Sequence, residues 1–265
     1  MGLIELIKNN HAYNFTNGVY YITQQVTDNP AEEIYLKTRK KEGRLYDDSI
    51  VKNLPEFSAD HRYYGEWRIR KLSSQKLIHY LSNIKGEKEI LDLGCGNGWL
   101  SNKLSRLDKS DVIGMDLNIT ELEQASRVFL PRNNLLFAYA DIFNNALGEY
   151  KFDFIILAAM IQYFRDISSL FENLLGKLKA KGEIHIIDSP LYSEKEVLKA
   201  RERSALYYTE LGVPEMKEYY NHHTLREICS NFNTDLLYNP KSLVNRTKGT
   251  LSKNYSPLYW IKIKK

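Results

Sequence analysis

The chain has 265 residues, 43% of them hydrophobic and 26% charged, a balance that supports a folded core and excludes bulk disorder. Its net charge of +4 is spread among acids, with basic clusters only at Lys37–Lys41 and Lys262–Lys265, so no nucleic-acid-binding face is expected from charge alone. Cys95 and Cys229 are the only cysteines, too few for a disulfide framework or a thiolate metal site.

The opening MGLIELIKNN has no basic leader, and position 6 is Leu rather than Ser or Thr. Neither a signal peptide nor a myristoyl anchor is expected. No stretch approaches the length of a membrane span, and a cytoplasmic location is the expectation. Residues 1–65 read as an aromatic-rich extension that could form a lid. Within it, TDNPAEEIYLKTRKKEGRLYD signals a helix with Asp28 or Asn29 as cap, Pro30 in the first turn and Gly43 at its end. A second helix is expected over Glu66–Leu81, burying Trp67, Ile69, Leu72, Leu77 and Tyr80.

From residue 88 strands and helices alternate. Nearly continuous apolar runs at Glu89–Leu93, Val112–Leu117, Leu135–Ala140, Phe154–Ala158 and Glu183–Asp188 fit parallel strands covered on both faces. Asn118 with Glu121, and Ser193 with Glu196, have the spacing of helix-capping pairs. Thr234–Tyr238 and the C-terminal PLYWIKIK read as late strands. The fold class is therefore α/β, a doubly wound, Rossmann-like, seven-stranded, mostly parallel sheet. It has an N-terminal helical extension and an inserted helical cap after the fifth strand. We divide it into the extension (1–65), the core (66–190), the cap (191–232) and C-terminal strands completing the sheet (233–265).

The core opens with ILDLGCGNGWL at residues 90–100. Gly94 and Gly96 follow the first core strand, where a missing Cβ lets a ligand approach the backbone. The pattern is not G-x-G-x-x-G, because position 99 is Trp, and no Lys-Ser or Lys-Thr makes a phosphate loop. Asp116 ends the next strand, placed to take ribose hydroxyls at the switch point of the sheet. Asp141 follows the third, within reach of an adenine amino group. A nucleoside without a pyrophosphate suits this set.

At this point the sequence resembles the class I S-adenosylmethionine-dependent methyltransferases, of the small-molecule, type 11/25-like kind, over roughly residues 65–190. LDLGCGNGWL is similar to that family's first motif, GMDLN to its ribose-binding acid and ADIF to its adenine-contacting turn. FDFIILAAMIQYF is similar to its fourth-strand motif, and LLGKLKAKGEIHIID to the turn into its fifth strand. The resemblance implies S-adenosylmethionine as cofactor, with S-adenosylhomocysteine as product and no metal. It places Gly94, Gly96 and Asn97 beside the methionine moiety and Asp92 on its ammonium. Asp116 would take the ribose, Leu117, Asp141 and Ile142 the adenine, and Leu157 to Gln162 would pass near the sulfonium.

Where relatives carry a His pair, this chain has Gln162 and Tyr163, which leaves the acceptor chemistry open. No Asn/Asp-Pro-Pro-Tyr turn follows the fourth strand, and Cys229 falls in a helix as a buried structural thiol. Base methylation therefore loses weight, and the expected partner is a small-molecule acceptor methylated at oxygen, nitrogen or carbon. Methylation of RNA or protein through the basic segment Lys37–Arg44, and a non-catalytic cofactor sensor or scaffold, are the alternatives. His222, His223 and Tyr163 are the catalytic candidates, imidazole because it titrates near neutrality. His185, inside a strand, reads as a satisfied core residue. Tyr63, Tyr64, Trp67 and Arg68, with Tyr219 and Tyr220 of the cap, are candidates for a lid or acceptor pocket. The adjacent histidines lack an acid at ligand spacing, so no metal site is expected.

Overall fold

The computed structural model describes residues 2–25, 29–144, 147–245, 247 and 255–265. The N-terminal segment holds α1 (Leu3–Lys8), a hairpin of β1 (Asn14–Thr16) and β2 (Val19–Tyr21), α2 (Pro30–Glu42), α3 (Asp48–Val51) and α4 (Tyr64–Ser82). Helix α2 begins where its sequence signals it. The Asn29 side chain accepts from Glu32 N, Pro30 stands in the first turn, and Gly43 ends it in the left-handed region. Asp28, the alternative cap, lies outside the described residues.

The core follows as β3 (Lys88–Leu93), α5 (Trp99–Leu104), β4 (Ser110–Asp116), α6 (Ile119–Phe129), β5 (Leu135–Tyr139), β6 (Phe152–Ala158), α7 (Ile167–Gly176) and β7 (Leu178–Ile187). A 3-10 turn, Ile161–Tyr163, lies between β6 and α7. Beyond β7 come β8 (Leu191–Tyr192), α8 (Glu194–Glu210), a 3-10 turn at Pro214–Glu218, β9 (His223–Thr224) and α9 (Leu225–Asn231). Then β10 (Thr234–Tyr238) and β11 (Trp260–Lys264) return to the sheet.

The strands lie in the order β1-β2-β5-β4-β3-β6-β7-β11-β10. From β2 to β7 neighbours are parallel, while β11 runs antiparallel to both β7 and β10. The sheet thus has nine strands where the sequence reads as seven. The two extra come from the N-terminal hairpin, whose Val19–Tyr21 pairs with Phe137–Tyr139. Three-residue strands carry no periodicity long enough to register, so the extension read as helical is in fact mixed.

Two apolar layers cover the faces of the sheet. One is built on Leu91, Ile113, Leu136, Ile155 and Ile184 with α1 and α7; the other on Ile90, Val112, Phe137, Phe154 and Ile156 with α4, α5 and α6. Strand order reverses between β3 and β6, so their C-terminal ends diverge and open a crevice there. The segment after β7 folds back through the parallel pair β8–β9. A third small cluster of Tyr208, Val213 and Met216 packs on Ile34 and Tyr35 of α2. Helix α2 roofs the crevice, and the insert packs against α2.

The histidine in β7 is satisfied. His185 is fully buried, its Nε2 on Glu183 and its Nδ1 accepting from Trp260 Nε1 at 3.1 Å. Lys262, read as part of a basic tail, is buried instead in an ion-pair network with Glu183 and Asp235. Cys229 is only half-buried, so its thiol is less enclosed than its place in a helix suggested.

Candidate functional site

A cavity of about 310 Å³ occupies the crevice, lined by residues 92–97, 116–118, 140–142 and 158–160 together with Glu32, Tyr35 and Arg39 of α2. The glycine loop is tied to the end of β4. Gly94 N and Cys95 N both donate to Met115 O, and Gly96 N donates to Asp116 Oδ2 at 2.7 Å. Gly94 sits at φ +74°, and a Cβ there would stand 2.7 Å from Met160 Cε. Its hydrogen therefore marks a true close approach. Asp116 Oδ1 accepts from Leu117 N and Asn118 N, which leaves lone-pair capacity for a ligand hydroxyl.

Acids crowd this loop. Burial, reinforced by Asp116, pushes Asp92 up to about 7 even though Ser101 Oγ donates to it at 2.6 Å. Burial likewise raises Asp116 against three backbone N–H groups, and burial with the Asp116 charge brings Glu121 to about 7. Glu121 is free to do this because only half of the expected capping box forms. Asn118 Oδ1 accepts from Glu121 N, but Asn118 N turns to Asp116, and the Glu121 carboxylate accepts from Tyr35 OH at 3.2 Å. A cluster of buried carboxylates favours a cationic ligand and disfavours a pyrophosphate.

A second cavity of about 480 Å³ adjoins the first and shares Tyr35, Arg39, Arg44, Arg70, Ala159 and Tyr163 with it. Arg39 Nη2 donates to Tyr163 OH at 3.0 Å across this boundary. The second chamber is rich in Tyr207, Tyr208 and Tyr220, all held neutral by burial. Its charges are largely paired. Arg44 grips Glu66 through two bonds, Arg70 joins the same carboxylate, and Arg39 bridges to Glu42. Burial opposes ionisation of Glu66, yet the two arginines hold it down to about 2. Arg39 and Arg44 are therefore turned inward, which removes them from the basic docking face read in Lys37–Arg44.

The structure brings together Asp92, Gly94, Gly96, Asn97, Asp116, Leu117, Asp141 and Ile142 around the first cavity. It separates two others from them. Leu157 is fully buried in the core, because its side chain faces the α1/α7 layer, and Gln162 lines the second cavity. Tyr163 lines both. His222 and His223 line neither. His223 Nε2 donates to Ile161 O and Phe164 O, so it pins the turn that carries Tyr163. His222 bonds Ser204 Oγ, and burial with nearby Arg201 lowers it to about 4. Neither imidazole lines a cavity itself, although Ser204, the partner of His222, lines the second.

Among the lid candidates, Trp67 lines the first cavity, edge-on to Trp99. Tyr63 turns its hydroxyl to Glu42 O, while Tyr64 is exposed and Arg68 lies off both cavities. Tyr220 lines the second chamber, and Tyr219 packs behind it. The roof is instead α2, through Tyr35, Thr38, Arg39 and Glu42. These recur at helical spacing, but as a polar inward face, which a search for apolar stripes passes over.

Residues 90–182 match the family profile described as "Methyltransferase domain". Over 130 residues the chain is 30% identical to malonyl-[acyl-carrier protein] O-methyltransferase 1 of Ilyobacter polytropus, covering 48% of each chain. It is 36% identical over 98 residues to the ubiquinone biosynthesis O-methyltransferase of Bartonella tribocorum, covering 36% of this chain and 38% of that one. The chain thus matches about half the length of the first of these relatives, or less. Among solved structures, the plantazolicin methyltransferase BpumL with its desmethyl analogue and S-adenosylhomocysteine superposes with a TM-score of 0.54 at 18% identity. The superposition covers 88% of this chain and 98% of that one. The YcgJ protein of Bacillus subtilis gives 0.54 at 16% identity, covering 73% and 98%. At such identities the likeness is one of fold, and the core has the class I methyltransferase fold.

Proposed function

We propose that this methyltransferase domain moves a methyl group from S-adenosylmethionine to a small-molecule acceptor. The observation that carries the reading is the pair of joined cavities: an acid-ringed crevice at the glycine loop, opening past Tyr35, Arg39 and Tyr163 into a separate tyrosine-rich chamber. The residues of the crevice fit the cofactor. No cation acts on Asp92 or Asp116, a lack that the cofactor's ammonium makes good, and a side chain at Gly94 would close the approach to Met160. When bound, S-adenosylmethionine supplies a methyl group made electrophilic by its sulfonium.

The chain's own work is then positional. Asp92 holds the ammonium, Asp116 the ribose, Asp141 and Ile142 the adenine edge, and Leu117 covers its face. Glu121, held by Tyr35, ties α2 down over the crevice. The acceptor sits in the second chamber, its body against Tyr207, Tyr208 and Tyr220.

Calorimetric titration with S-adenosylmethionine, S-adenosylhomocysteine and NAD tests this, with Asp116→Ala as control. The expected result is micromolar binding of the first two, lost in the variant, and none of NAD. Binding of NAD, or of no nucleoside at all, would overturn it.

A further inference from the structure

The second chamber is left with two buried acceptor atoms that have no hydrogen-bond partner among the described residues: Asp188 Oδ2 and Gln162 Oε1. Asp188 is 7% exposed and Gln162 6%. Unpaired buried acceptors are uncommon, and each is a cost the fold carries until a donor arrives. The identity of the Gln162 orphan is fixed by its other end. Its amide nitrogen donates to Ala159 O, and a flipped amide would set oxygen against oxygen. Asp188 is held just as firmly, with Oδ1 accepting from Ser73 Oγ of α4 at 2.6 Å.

Both line the second chamber and are tied to Ala159 at its boundary with the first. Ala159, which lines the two, takes Gln162 on its carbonyl and donates its N–H to Ile187, the residue before Asp188, at 3.0 Å. Ala159 and Asp188 both stand at φ +55°. Two non-glycine residues in the left-handed region, at the ends of adjacent strands, is strain concentrated where the chambers meet.

Three of the chamber's four arginines point the same way, the fourth, Arg203, being exposed. Arg39, Arg44 and Arg70 are engaged by Glu42, Glu66 and Tyr163. Arg44 Nε makes no hydrogen bond but lies 3.3 Å from Glu42 Oε2. None of these guanidinium groups presents a vacant fork for an incoming carboxylate. What the junction offers is acceptors, so what it receives is a donor.

Resting on the methyl-transfer reading above, we propose that the methylated group carries its own proton, as an amine or a hydroxyl does, and that Asp188 and Gln162 hold it by its N–H or O–H, with Asp188 taking the proton. The nucleophile's lone pair forms the bond to the methyl carbon. The carbon–sulfur bond breaks with its electrons left on sulfur as a thioether, and the nucleophile's proton passes to Asp188 Oδ2. The charges nearest Asp188 are Arg70 and Glu66, both on α4. Burial raises Asp188 to about 6, a more basic carboxylate that is still ionised at neutral pH.

The test uses S-adenosylmethionine tritiated in its methyl group and a small-molecule extract of the cells that make the protein. Methyl esters release methanol in mild alkali; N-methyl and O-methyl ether products do not, and cation exchange separates the last two. The expected product is alkali-stable. Asp188→Asn should lower kcat at least 100-fold and abolish the acidic limb of its pH profile. It should leave S-adenosylhomocysteine affinity unchanged and the unfolding temperature no lower, with a gain above pH 6 where the raised carboxylate is removed, since Asn tolerates a left-handed backbone and still accepts from Ser73. Gln162→Ala should raise KM more than it lowers kcat. An alkali-labile product, or an Asp188→Asn enzyme with undiminished kcat, overturns the inference. Cofactor binding without any labelled product overturns methyl transfer itself, and the inference with it.

Discussion

Replacing Asp92 by Asn separates what the residue costs the fold from what it does for a ligand. Asp92 is 1% exposed, and burial raises it from 3.8 to about 7. Between those values the folded chain keeps a proton that the unfolded chain has lost. Its contribution is therefore fully present below about pH 4 and lost as pH rises through 7. At about 1.4 kcal/mol per pH unit of displacement, the ionised carboxylate at pH 8 destabilises the ligand-free fold by on the order of 4 kcal/mol. Asn is neutral at every pH, nearly isosteric, and its carbonyl still accepts from Ser101. The variant should melt about 4–8 °C higher than the parent at pH 8, with most of the gain gone by pH 4.5. At pH 8 its affinity for S-adenosylmethionine should fall about 10- to 100-fold, by roughly 1.4–2.7 kcal/mol. Scanning calorimetry at the two pH values and a cofactor titration measure both. A melting gain equal at both pH values, or a loss at pH 8, would refute the reasoning.

The same linkage predicts the pH dependence of binding. A cationic ligand on Asp92 needs the ionised form, so affinity should climb close to tenfold per unit from pH 5 to 7 and level off above; a flat profile would contradict it. Among the glycines, Gly98→Ala would place a Cβ 2.6 Å from the Phe137 ring and 2.7 Å from Ala125 Cβ at φ +72°. It should cost about 3 kcal/mol of stability. Gly94→Ala would meet Met160 Cβ at 2.9 Å, which cannot swing aside, as well as its Cε; it should also cost about 3 kcal/mol but in addition abolish cofactor binding, and urea unfolding and calorimetry on the pair would show the difference. His223→Ala should lose about 1–3 kcal/mol by orphaning the Phe164 carbonyl, and raise KM through the loosened Tyr163. His222→Gln should leave the pH profile of kcat unaltered, and a lost limb in that profile would restore His222 as a base.

What the sequence by itself determined is whatever is encoded locally. The glycine loop, the acids at the ends of β4 and β5, and the Asn29–Pro30…Gly43 boundaries of α2 each depend on a backbone conformation or a strand end that a few contiguous residues specify. Hence eight of the cofactor residues read from 90–142 converge on one cavity. The tertiary structure decided everything that depends on distant segments meeting. The hairpin at Asn14–Tyr21 joins the sheet only because β5 offers it an edge. Tyr35 and Arg39 become cavity residues only when α2 lies across the crevice, and Asp188 becomes distinctive only because Ser73 donates to one oxygen and no described residue donates to the other. The adjacent histidines carried the stronger chemical signal in the sequence, yet packing turned them onto carbonyls and a serine. A strand end repeats its geometry wherever the motif occurs. The second chamber is assembled from side chains as distant in sequence as Tyr35 and Leu258, with Tyr207 on Glu42 165 positions away, and no local pattern records which of them will meet.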